Sequence, residues 1–290
     1  MNKLALCLCL AAAAACTKNE SRLDGVSGTS GQDPSPGVAP RATGSVESRL
    51  ARVERRLDKV ISLLEQNLPP EPPDAATTFS VPISPSDPVE GPADAKVTIV
   101  EAFEFLCPYC YLVSPTVNKL LEKYPKDVRV VSKYLVIHGD KAVLAAQVGC
   151  AAHKQGKYTQ VKNALWNGLF KLEGEGPKAQ TENLNLDAMK KLAADAGADP
   201  ARLDADLEGC QGWIQDSAQA LAPLGVNSTP SFFINGRFLQ SLDFDQFDAM
   251  IKESLAKADK AIADGVPQAD YYKREIVGKG VKRAKGRFED

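Results

Sequence analysis

Histidine is nearly missing from this chain: its 290 residues include two, His138 and His153. A zinc site built on cysteines needs further ligands at compatible spacing, and neither histidine falls in such a pair, so no metal centre is expected. An excess of charge of one sign is missing too. Lysine and arginine total 35 against 37 aspartates and glutamates, which leaves no electrostatic footprint for nucleic acid. There is also no apolar run of about 18 residues or more, the length a helix needs to cross a bilayer. No cofactor is expected. The length allows one domain of about 200 residues with appendages.

Cysteine is sparse but informatively placed, with seven in all. Lys3 followed by the short apolar stretch from Leu4 to Ala15 reads as an export signal over residues 1–15, and Cys7 and Cys9 fall inside the removed segment. Ala13-Ala14-Ala15-Cys16 resembles a bacterial lipobox, although Ala13 stands where a larger aliphatic residue is usual. Lipid attachment at Cys16 is the expectation, against ordinary cleavage at an Ala-x-Ala site. Thr17, in place of the aspartate associated with inner-membrane retention, favours the outer membrane. Export places the mature chain in the bacterial periplasm, an oxidising compartment.

Residues 16–44 are rich in Ser, Gly, Pro, Thr and Asp and cannot bury enough apolar surface to fold, so they form a tether. Over residues 45–68, Val46, Leu50, Val53, Leu57, Val60 and Leu64 recur at alternating spacings of four and three. That is a heptad seam, fit for self-association through residues 46–64 or for packing as one amphipathic helix. A proline-rich linker at 69–84 ends it. The main domain is expected over 85–262, with packing beginning near Phe79, and a basic extension over 263–290 carries Tyr271-Tyr272.

Cys107-Pro108-Tyr109-Cys110 follows the apolar run from Val97 to Leu106 and precedes a helix-like stretch with Pro115 as a kink point. At a strand-to-helix turn the first sulfur faces the positive end of the helix, and Pro108 at the first helical position sacrifices no needed donor. The thiolate is the attacking species in disulfide exchange, so Cys107 attacks and Cys110 resolves. A second strand, Val128 to Leu135, completes a βαβ opening of the kind expected around a thioredoxin-like CxxC. Residues 140–224 hold only helical signals and read as an all-helical insertion. Ser231 to Ile234 and Arg237 to Leu239 then form a hairpin across Asn235-Gly236, and a helix closes the domain.

The CxxC after a strand, the helical insertion, the Gln155-Gly156-Lys157-Tyr158 segment, and the run from Thr229 to Gly236 stand in one order over roughly residues 85–260. In this the chain resembles the DsbA-like branch of the thioredoxin superfamily. The resemblance implies an α/β thioredoxin-like fold and a protein disulfide oxidoreductase acting on cysteine-containing exported proteins, with a soluble or membrane redox partner. It implies that Pro230 is cis, and that Thr229, with Pro108 and Tyr109, presents substrate backbone beside Cys107. Glu101, six residues before Cys107, matches the buried acid that takes the proton of the resolving cysteine, with Glu104 as competitor. Cys150 and Cys210 match a second, non-catalytic disulfide found in a subset of relatives; two buried thiols are the alternative. Tyr109 cannot supply the charge-assisted contact of a histidine at that position, so a potential less oxidising than the strongest DsbA proteins is expected. The rival readings are an oligomeric isomerase or reductase assembled by the heptads, and a peptide-binding module without catalysis.

Overall fold

The computed structural model describes residues 45–67, 72–174 and 176–285. The export signal, Cys16 and the tether fall outside the described residues, as does part of the proline-rich linker.

Val46–Asn67 forms the helix α1. Ser45 starts it, its hydroxyl accepting from the Ser48 N–H at 3.3 Å. All six seam residues are exposed, from 42% at Leu64 to 75% at Val46.

The main body is a five-stranded sheet in the order β1-β3-β2-β6-β7. β1 is Val89–Glu90, β2 Val97–Phe103, and β3 Val128–Tyr134. β2 and β3 run parallel, from Val97 opposite Val128 to Phe103 opposite Tyr134. Parallel neighbours need a crossover, which α2 (Pro108–Lys123) supplies, with Pro115 inside it. Every residue of β2 is buried, so its sequence is a mainly apolar run, broken by Thr98 and Glu101, rather than an alternation.

The insertion holds α3 (Asp140–Lys154) and α4 (Tyr158–Leu169). After them come the strands β4 (Phe170–Glu173) and β5 (Gly176–Ala179), then the helices α5 (Leu186–Asp195), α6 (Pro200–Leu207) and α7 (Cys210–Leu221). The expected all-helical insertion is thus helical apart from one antiparallel hairpin, β4 with β5. Gly174 at φ 59° opens its turn, and Phe170 anchors it in the core at 4% exposure. Its remaining residues are largely exposed and mix Lys171, Glu173 and Lys178 with Leu172, Gly176, Pro177 and Ala179, which hides the strand period from a reading of the sequence.

β6 (Ser231–Ile234) pairs antiparallel with β2 and with β7 (Arg237–Leu239), and α8 (Phe244–Ala263) follows. The connecting Asn235 and Gly236 have φ of 44° and 80°, the pair of left-handed conformations a two-residue hairpin requires. A Cβ on Gly236 would lie 2.4 Å from the Phe79 carbonyl oxygen, so no side chain fits there.

One face of the sheet packs Val97, Ile99, Val128 and Val130 against α2 and α8, with Phe232 edge-on to Phe247 at 4.8 Å. On the other face Val100 and Val131 join Phe79, Val81, Tyr272 and Ile276. The Tyr272 hydroxyl donates to the Val81 carbonyl at 2.8 Å, and the Ser80 N–H to the Val281 carbonyl at 2.8 Å. The packed body therefore reaches past 85–262 at both ends. A third cluster carries Phe103, Phe105 and Trp166 from the strand ends into the insertion, and it includes all four of Cys107, Cys110, Cys150 and Cys210.

Candidate active site

Cys107 ends the loop after β2 and caps α2 in an extended conformation, φ −80° and ψ 117°, with Pro108 as the first helical residue. Its thiol donates to the Thr229 carbonyl at 3.3 Å, and the Thr229–Pro230 peptide bond is cis. Two segments more than a hundred residues apart thus meet because β2 and β6 are neighbours in the sheet. Tyr109, 59% exposed, lines a cleft of about 280 Å³ with Thr229, Pro230, Gln240, Ser241 and Leu242.

Both thiols of the CxxC are free and buried, but their environments differ. The hydrogen bond from Cys110, aided by the Thr229 side chain and the backbone N–H groups of Cys110 and Tyr109, lowers Cys107 to about 6 against the opposing effect of burial. The Cys110 thiol is pushed well above the ordinary range, first by burial and then by the pull and charge of Cys107. The two sulfurs are thus driven in opposite directions, Cys107 toward the thiolate and Cys110 toward the thiol. That division is what a nucleophile and a resolving group require.

Glu101 is 5% exposed on β2, opposite Ser132 of β3 and Phe232 of β6. Burial raises it to about 7, while the Lys162 charge lowers it and those of Glu90 and Cys107 raise it further. Glu104 is committed elsewhere. Its fully buried carboxylate accepts from the backbone N–H groups of Ile137 and His138, both at 3.2 Å, and pairs with the His138 ring. It ties the loop after β3 beside the dithiol.

A family model described as Thioredoxin matches residues 84–253, more than half of the chain. The chain belongs to the thioredoxin family. Among solved structures, a periplasmic thioredoxin-like protein from Salmonella enterica serovar Typhimurium is 27% identical, with a TM-score of 0.51 over 61% of this chain and 94% of its own. A thioredoxin-like oxidoreductase from Silicibacter pomeroyi is 28% identical, with a TM-score of 0.50 and the same coverage, 61% and 94%. BdbD from Bacillus subtilis, at 21% identity, shares the fold with a TM-score of 0.54 over 62% of this chain and 98% of its own. Among curated proteins, the Na(+)/H(+) antiporter NhaA 3 of Salinispora tropica is 33% identical over 163 residues, 54% of this chain and 23% of the antiporter. The chain spans about a quarter of the length of such relatives, so the likeness is that of one domain.

Cys150 and Cys210 are joined in a disulfide, with Cα atoms 5.8 Å apart. It links the last turns of α3 to the start of α7. Lys162 and Glu90 were not legible as site residues, yet their ion pair is buried beside Glu101. A signal did exist for one of them. Lys162 falls on the apolar stripe of α4, between Val161 and Leu165, where a lysine needs a buried partner. Glu90 sits on a two-residue edge strand and carries no comparable mark.

Proposed function

We propose that the protein is an exported thiol-disulfide oxidoreductase of the bacterial periplasm that exchanges disulfides with cysteine-containing proteins through Cys107 and Cys110. The observation that carries this reading is the place of the Cys107 sulfur, lowered toward thiolate at the start of α2 and lying 3.3 Å from the Thr229 carbonyl ahead of cis Pro230. Substrate lies extended along Thr229 and Pro230, its backbone paired as an added strand, with Pro108 and Tyr109 flanking its sulfur. In the reducing direction Cys107 thiolate attacks a substrate sulfur and one substrate thiolate leaves. Glu101 takes the Cys110 proton, Cys110 attacks Cys107, and the second substrate sulfur departs as thiolate. The oxidising direction reverses each step. Tyr109 brings no charge to the Cys107 thiolate, which supports a potential below that of the strongest oxidants, about −120 mV. A redox partner in the periplasm or its membranes renews the dithiol, and lipid on Cys16 holds the chain at the outer membrane.

Turnover separates catalysis from mere peptide binding. Cys107→Ala is expected to lose insulin reduction and disulfide-coupled refolding while peptide binding persists. Equal activity in the variant and the wild type would leave only the binding-module reading.

The exposed seam of α1 supports a second element, an assembly of several dithiols around one substrate, as in a disulfide isomerase. Its spacings set leucines (Leu50, Leu57, Leu64) at the a positions and valines (Val46, Val53, Val60) at d. β-branched residues at d with leucine at a favour more than two strands. Light scattering of the mature chain is expected to give three or four protomers, and a monomer on deleting residues 45–68. A wild-type monomer would remove the isomerase argument.

A further inference from the structure

The helix α2 has a cleft on each flank. Tyr109 lines the one at Thr229 and Pro230, and on the same side Thr116 donates to the Leu242 carbonyl at 3.3 Å. The other flank opens on a larger cleft of about 430 Å³, lined from α2 by Tyr111, Ser114 and Asn118. These three stand four, seven and eleven positions after Cys107, the spacing of one helical stripe. Cys107, at the start of α2, therefore heads both clefts.

The far wall of the larger cleft comes from α4, with buried Trp166 beside Asn163 and Asn167, and the β4–β5 hairpin overhangs it through Leu172. Phe170 and Leu172 are two apart on β4 and share a face. Phe170 stacks on Tyr111 at 5.2 Å, so Leu172 is turned to the same side, toward α2. Leu172 is nevertheless 66% exposed, and Leu112 on the α2 side of the cleft 36%. An apolar residue on the inward face of a hairpin thus overhangs open space. No residue lining the cleft carries a charge. The side-chain amides of Asn118, Asn163 and Asn167 line it without a hydrogen-bond partner among the described residues.

We propose that this cleft is a second substrate subsite, which holds the uncharged, extended segment of a protein substrate lying beyond its reacting cysteine on the side away from Thr229. The inference rests on the reading of the dithiol given above and adds where the rest of the substrate chain goes. Length, chemistry and continuity select that occupant. From Cys107 to Asn118 the stripe runs about 16 Å at the helical rise, the span of about five extended residues. An asparagine amide both donates and accepts, which suits the alternating N–H and C=O groups of a main chain, while Trp166 and the two leucines receive apolar side chains. A charged segment would lose hydration there and gain no counter-charge. The cleft begins at Tyr111, the residue after Cys110, so a chain held at Cys107 enters it directly.

The test follows single turnovers of the reduced protein with uncharged peptides whose one cysteine carries a chromogenic thiol in disulfide linkage. The dithiol supplies both electrons: the Cys107–Cys110 bond forms, the peptide–dye bond breaks, the Cys110 proton ends on the peptide sulfur and the dye leaves as thiolate. Lengthening the peptide from two to six residues on one side of its cysteine is expected to raise kcat/KM about tenfold, through KM rather than kcat. Leu172→Asp, and Asn118→Ala combined with Asn163→Ala, should each abolish that gain, and Leu172→Met should keep it, with Cys107 still titrating near 6. Aspartates in the added residues should abolish it in the wild type. Equal rates for short and long peptides in the wild type, or the full gain in Leu172→Asp, would overturn the subsite and leave the dithiol reading standing. If no peptide reacts, the dithiol reading fails and the subsite with it. If Leu172→Asp alters the size of the assembly in light scattering but not the gain, a second copy of the chain fills the cleft and the proposal falls.

Discussion

Cys110→Ser is expected to turn the protein from a catalyst into a trap. The variant keeps Cys107 at the helix N-terminus, with Thr229 and the backbone N–H groups of the turn still favouring its thiolate. Attack on a substrate disulfide proceeds, but no second thiol can release the product, so a mixed disulfide with Cys107 accumulates at one per chain. Turnover should fall to the uncatalysed level. Non-reducing electrophoresis and mass spectrometry would detect the adduct; free turnover with no adduct would place the nucleophile elsewhere. The same thiolate links redox state to stability. The folded Cys107 value, about 6, lies below the ordinary 9.0. A depressed value means that the thiolate stabilises the reduced fold, fully above pH 9 and not at all once the pH has fallen through about 6. Between those limits the reduced form should gain at most about 1.4 kcal/mol per pH unit relative to its unfolded state. Thiolate absorbance should titrate with a midpoint near 6.

Removing the other cysteine pair is expected to weaken the fold rather than the chemistry. The Cys150–Cys210 bond closes a loop with a sequence separation of 60, spanning α4, the β4–β5 hairpin, α5 and α6. In the chain-entropy account a loop of that length stabilises by about 4 kcal/mol. Both sulfurs are fully buried among Tyr158, Leu203 and Ile214 of the same cluster, so a double Cys150→Ala and Cys210→Ala variant also loses packing. Denaturant unfolding should show a loss of several kcal/mol, while the Cys107 titration stays in place because none of its stabilising groups comes from α3 or α7. A loss below about 1 kcal/mol would mean that packing alone holds the insertion.

Sequence and structure meet most fully where the signal is local. The strand before Cys107, the helix start at Pro108 and the Asn235-Gly236 hairpin each depend on backbone preferences of a few neighbouring residues. So does the helical register of α1, whose seam is visible as a bare spacing. The place of the CxxC at a strand-to-helix turn was legible for the same reason. The β4–β5 hairpin was not legible. Its strands are short, mostly exposed and held by one buried anchor, Phe170, so no periodicity marks them.

By itself the sequence determined the place of the CxxC, the order of the main elements apart from the β4–β5 hairpin, and the family. Which groups surround the pair was decided by the tertiary structure. Pairing β2 between β3 and β6 brings Thr229 to Cys107 and turns Glu101 toward Glu90 and Lys162. Glu104, three residues further along the chain, is instead drawn to the loop at His138. Glu101 and Glu104 are both glutamates within seven residues of the same cysteine, and only their buried partners tell them apart. Proton affinity depends on burial and on charges contributed by distant segments, and those are properties of packing rather than of neighbours in sequence.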